Sequence, residues 1–160
     1  MHLELLSLAA AASLAAAQSM NLSAALGSNP NLSNLTQYLG LYPNIIQQLS
    51  NATNVTLLAP NNDAFTKALS GPVNVSDTSL INAVFSYHVL DGLYPASAIT
   101  SKAAFIPTAL VDSTYTNLTS GQRVEAIKAG KEVVFYSGLL QNSTVTQAVR
   151  YKSLRTSKLC

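Results

Sequence analysis

Apolar positions along the chain follow two rhythms. Leu22, Ala25 and Leu26 recur at helical spacing and stop at Gly27-Ser28-Asn29-Pro30. Leu32, Leu35 and Leu39, then Ile45, Ile46 and Leu49, keep the three- and four-residue spacing, and Pro43 forces a break between two helical pieces. The period then changes. Val55 to Ala59 reads as a buried strand closed by Pro60, and the asparagines that follow can cap a helix carrying Ala64, Phe65, Ala68 and Leu69. Asp77 or Thr78 opens another helix, with Leu80, Ile81, Val84 and Phe85 on its apolar face and an end near Tyr87-His88. Gly92 and Pro95 mark a bend, and Ala98-Ile99 a short apolar contact.

From Phe105 onward the pattern is that of strands. Phe105 to Val111 and Thr114 to Leu118 are two candidates. Arg123 to Ile127 and Val133 to Tyr136 flank Lys128-Ala129-Gly130-Lys131, which is a hairpin pattern. Val145 sits in one further strand. Helices come first and strands later, so the class predicted is α+β with a mainly antiparallel sheet.

The first residues stand apart from this pattern. Leu5 to Ala17 is an uninterrupted run of Leu, Ala and Ser ending in three alanines, too short to span a bilayer. It reads as a secretory signal over residues 1–17, with the domain over 18–148. Secretion makes the Asn-x-Ser/Thr pattern meaningful. It begins at Asn21, Asn31, Asn34, Asn51, Asn54, Asn74, Asn117 and Asn142, eight of the thirteen asparagines. Shared turns and caps account for one or two of these, so a heavily N-glycosylated surface is expected. The pairs 31/34 and 51/54 would crowd one another.

Charge removes some function classes. The formal net charge of +2 comes from the tail, where Arg150, Lys152, Arg155 and Lys158 lie. Between Gln18 and Val149, Lys67, Lys102, Arg123, Lys128 and Lys131 are outnumbered by six carboxylates. No basic face is there for a phosphate backbone, which argues against nucleic acid as a partner. Cys160 is the only cysteine, so one chain has no disulfide framework and no zinc cluster. The core must hold the domain unaided.

His88, in Ser86-Tyr87-His88-Val89-Leu90-Asp91-Gly92, is the one histidine left after the signal. A catalytic base needs a nucleophile and an orienting group, and there is no G-x-S-x-G elbow. A metal needs three or four ligands. Packing at a helix end, with a ring nitrogen bonded to nearby backbone, is the favoured reading. Asn61-Asn62-Asp63 lacks the spacing of a calcium loop. No catalytic residue, metal or cofactor is assigned, and the chain reads as something other than an enzyme.

Two stretches carry a family resemblance. "NVTLLAPNNDAFTKAL" (54–69) resembles the first signature of the fasciclin domain, and "LINAVFSYHVLDGLYPAS" (80–97) its central Tyr-His motif. Residues 116–148 are similar to the hairpin region that follows. The resemblance implies a β-wedge of mainly antiparallel strands with N-terminal and central helices packed around it. It also implies adhesion at a cell surface, wall or matrix through a protein or polysaccharide partner. Tyr87 and His88 form the candidate adhesion motif, since this region is linked to integrin-type adhesion in some members. From Val149 the chain departs from the family's closing G-x-I-H-x-I-D-x-V-L strand, so the last strand is expected to be missing. The basic segment 149–160 is atypical: either the domain lacks its last core strand, or this end comes from a shifted reading frame or misassigned splice, and the abrupt change in composition favours the second. A second functional reading is a secreted carrier with a pocket for a small apolar ligand or lipid between helices and sheet.

Overall fold

A computed structural model describes residues 22–71 and 76–147. Helix α1 (Leu22–Gly27), α2 (Ser33–Gly40) and α3 (Pro43–Asn51) follow the apolar spacing, with a 3-10 turn at Pro30–Leu32. The break falls where Pro43 takes the first turn of α3, a position that needs no amide donor. Strand β1 (Val55–Leu57) leads into α4 (Asn62–Leu69), and the Asn61 side chain accepts the Ala64 amide at 2.9 Å as its cap. Asp77 caps α5 (Thr78–Tyr87) by accepting from Ser79 and Leu80 at 3.0 and 3.1 Å. Strands β2 (Val89–Asp91), β3 (Ala104–Pro107), β4 (Arg123–Ala129), β5 (Glu132–Tyr136) and β6 (Asn142–Thr144) complete the described chain.

All strand pairing among the described residues is antiparallel. β1 pairs with β2, and β3-β4-β5-β6 form a second sheet, joined to the first by a bridge from Leu90 to Thr108. The β4–β5 hairpin turns at Gly130, which takes φ +64° at no steric cost. The α+β class and antiparallel sheet are as the sequence predicts.

Four local expectations shift. Thr114 to Leu118 is a turn rather than a strand. The Asp112 carboxylate accepts the Thr114 amide at 2.8 Å, and its carbonyl accepts from Tyr115 and Thr116 at 3.0 Å. That local alternative outcompetes the β preference of the threonines. β3 ends at Pro107 instead of Val111, and β1 ends at Leu57 instead of Ala59. Val145 lies just past β6, yet its amide still donates to the Val133 carbonyl at 2.9 Å.

The core has two parts. Leu22, Leu26, Leu35, Leu39, Ile45 and Leu49 pack with Phe65, Ile81 and Val89 between the helices. Leu90, Ile99, Ile106, Val124, Ala126, Val133 and Phe135 pack over the sheet. Strand β2 belongs to both, because the two-residue alternation of a strand sends Val89 to one cluster and Leu90 to the other. A further tie links the ends of the described chain: Asn29 Nδ2 donates to Gln147 Oε1 at 2.9 Å. The signal segment 1–17, Asn21, Asn74, the expected loss of the last strand and the segment 149–160 lie outside the described residues.

Candidate functional site

The last turn of α5 places Tyr87 and His88. His88 is the C-cap residue, and its amide donates to the Phe85 and Val84 carbonyls at 3.0 and 3.3 Å. Its ring Nδ1 lies 2.8 Å from the same Val84 carbonyl, a contact made by the tautomer that carries the proton on Nδ1. Its own carbonyl accepts the Leu58 amide at 2.8 Å, which fastens the end of β1 to the end of α5. The half-buried histidine is thus committed to three backbone partners. Asp91 stands opposite Val55 at the far end of β2, and Asp63 lies in the first turn of α4. Among the described residues, no three of His, Cys, Asp and Glu gather where a metal ion could be held.

Tyr87 reaches further. Its ring packs against the sheet cluster and meets the His88 ring edge-on, with centroids 6.3 Å apart. Its hydroxyl accepts the Gly138 amide at 3.2 Å, across 51 residues of chain. Gly138 belongs to the β5–β6 turn. There Ser137 N donates to Gln141 O at 2.9 Å, Leu140 N to Ser137 O at 2.8 Å, and Gln141 N to Ser137 Oγ at 3.3 Å. At the tip, Leu139 is 85% and Leu140 78% exposed. Leu140 has φ +60°, a left-handed conformation that branched side chains rarely adopt. Two adjacent leucines are thus exposed on a turn that holds one of them in a left-handed conformation, and strain of this kind clusters at functional sites. Sequence reasoning passed over them. The visible signal was Gly138-Leu139-Leu140, an apolar pair beside a glycine between two strands.

Six of the eight sequons fall in the described residues. Asn31, Asn51, Asn54, Asn117 and Asn142 are exposed. Asn34 is half-buried, with Nδ2 donating to Thr66 Oγ1 at 3.4 Å. It borders an open groove of about 530 Å³ between α2 and α4, whose apolar wall is Tyr38, Leu41, Phe65 and Leu69. Among the described residues, no charged side chain lines it. Tyr38 meets Phe65 edge-on at 5.3 Å, and its hydroxyl lies 3.4 Å from that of Tyr42. Burial, with the Tyr42 hydroxyl beside it, pushes the Tyr38 phenol up to about 12.

The helix-then-hairpin order, the capped α4 and the Tyr-His corner meet a known pattern. The family model of the fasciclin domain matches residues 30–153. The chain belongs to the fasciclin-domain family. Its fasciclin domain is similar to a fungal "Fasciclin-like arabinogalactan protein" from Arthroderma benhamiae, 39% identical over 122 residues, which are 72% of this chain and 29% of that protein. It is also similar to "Fasciclin-like arabinogalactan protein elcF" from Phaeosphaeria nodorum, 31% identical over 121 residues, 74% of this chain and 38% of the relative. The chain therefore spans about a third of the length of these curated relatives. No helix among the described residues of the fasciclin domain is long and apolar enough to cross a membrane.

Proposed function

We propose that this chain is a secreted, N-glycosylated fasciclin module that adheres to a cell surface, wall or matrix component, a protein or a polysaccharide. The segment 1–17 serves as the secretion signal and 18–148 as the domain. The observation that carries this reading is the corner where Tyr87 holds the β5–β6 turn and keeps Leu139 and Leu140 in solvent. Apolar side chains displayed on a rigid corner supply the desolvated centre of a contact, and neighbouring polar groups form its rim. His88 acts here as a positioning residue, fixing the end of α5 from which Tyr87 reaches the turn. The five exposed sequons and the names of the fungal relatives support the placement outside the cell. The module works by binding and not by catalysis.

The test is retention of the purified chain on cell-wall and matrix fractions, beside a double variant L139S/L140N. The wild type is expected to stay on the fraction through washing and the folded double variant to elute with the buffer. Absence of wild-type retention on every fraction would overturn adhesion. Equal retention of both would move the contact away from this corner. Intact mass before and after enzymatic glycan removal reads the glycosylation, with a drop of several kilodaltons expected.

A further inference from the structure

The groove between α2 and α4 leaves Leu41 72% and Leu69 41% exposed beside the aromatic rings of Tyr38 and Phe65. Such a patch on a secreted domain calls for a cover. Its lining combines aromatic and aliphatic faces with amide and hydroxyl groups and carries no charge. That combination suits a neutral saccharide, which offers C–H faces to aromatic rings and hydroxyls to a polar rim. The sequence offers an acceptor for such an occupant at the site itself. Asn34-Leu35-Thr36 is a sequon, Asn34 itself lines the groove, and its Nδ2, the atom to which an N-glycan is joined, is directed across it toward Thr66 Oγ1 at 3.4 Å. Tyr38 lies one helical turn further along α2, where an i,i+4 neighbour shares the same face. The backbone at this point is well held, since the Asn34 amide donates to Asn62 Oδ1 at 3.0 Å. The exposed sequon asparagines, by contrast, stand clear of this groove's lining.

We infer that Asn34 carries an N-glycan whose core sugars lie in the α2–α4 groove and roof Tyr38, Leu41 and Leu69. This rests on the reading of the chain as a secreted glycoprotein, and it gives one sequon a structural task. The glycan at Asn34 shields apolar surface, while those at Asn117 and Asn142 extend into solvent.

The experiment starts with glycopeptide mapping of the secreted full chain. Native digestion follows, with an endoglycosidase that cuts within the chitobiose core. Asn34 is expected to be occupied and to be trimmed at least tenfold more slowly than Asn117 or Asn142 in the same molecule. Hydrophobic-dye fluorescence is then compared among the wild type, N34Q, T36A and N117Q. A several-fold rise is expected in N34Q and T36A alone. Two different substitutions remove the same glycan, so a folding fault private to one is recognised by its thermal melt. The rate comparison needs no variant at all. A bare Asn34 beside other occupied sequons overturns this inference and leaves the glycoprotein reading standing. So does an occupied Asn34 trimmed as fast as Asn117. Absence of glycan at every sequon removes both.

Discussion

Tyr38 shows how one side chain reports its surroundings. Its phenol ionises near 12, because burial disfavours the phenolate and the Tyr42 hydroxyl adds to the effect. In the unfolded chain a tyrosine ionises near 10. Between about 10 and about 12 the unfolded state therefore holds fewer protons than the folded one, so stability falls as pH rises. The contribution is fully present below pH about 10 and is lost through the folded value. Urea titrations from pH 9 to 12 should show the midpoint dropping across this window in the wild type, with a shallower drop in Y38F. An identical pH profile for the two would mean that another group governs alkaline unfolding.

Leu140 makes the opposite case, a residue whose backbone costs stability. A left-handed conformation at a branched side chain is disfavoured by roughly 1–2 kcal/mol. Leu140→Gly should therefore raise Tm or leave it unchanged while weakening adhesion, because its side chain contributes almost nothing to the core. A clear fall in Tm would show that the leucine packs against something beyond the described chain.

At the scale of elements, α2 and α4 are joined through one asparagine. Asn62 Nδ2 donates to the Pro30 carbonyl at 3.0 Å and Ser33 Oγ at 3.1 Å, while its Oδ1 accepts the Asn34 amide at 3.0 Å. It thereby satisfies a first-turn amide of α2 from outside that helix. Asn62→Ala removes all three contacts and should cost about 1–3 kcal/mol, at the low end because the site is partly wet. Asn61→Ala, which removes only the α4 cap, should cost about 1 kcal/mol. Denaturant midpoints read both, and the order of the two variants is the discriminating result.

At the scale of the whole molecule, the described residues hold two apolar clusters and one strand common to both. Leu35 is 1% exposed in the helical cluster, and Leu90 is fully buried in the sheet cluster. Truncation to alanine at either site should cost about 2–5 kcal/mol. Because β2 feeds Val89 and Leu90 into different clusters, both variants should still unfold in a single transition seen alike by calorimetry and by circular dichroism. Two resolved transitions in either variant would show that the clusters fold as separate units.

The elements were legible in the sequence where the controlling physics acts over a few residues. Three- and four-residue apolar spacing gave the helices their buried stripe, Asn61 and Asp77 supplied caps within three positions, and Gly130 set the hairpin turn. The same short range explains the miss at Thr114 to Leu118, where Asp112 offered the backbone a turn that residue preference alone did not weigh. Motif order at 54–69 and 80–97 was enough to indicate the family. Tertiary structure alone decided three things. It brought Tyr87 to Gly138, it left Leu139 and Leu140 in solvent, and it set Asn34 across a groove from Thr66. These depend on which faces meet after distant segments collapse. Burial is nearly non-directional, so the pattern of apolar positions says that a face is covered but not by what.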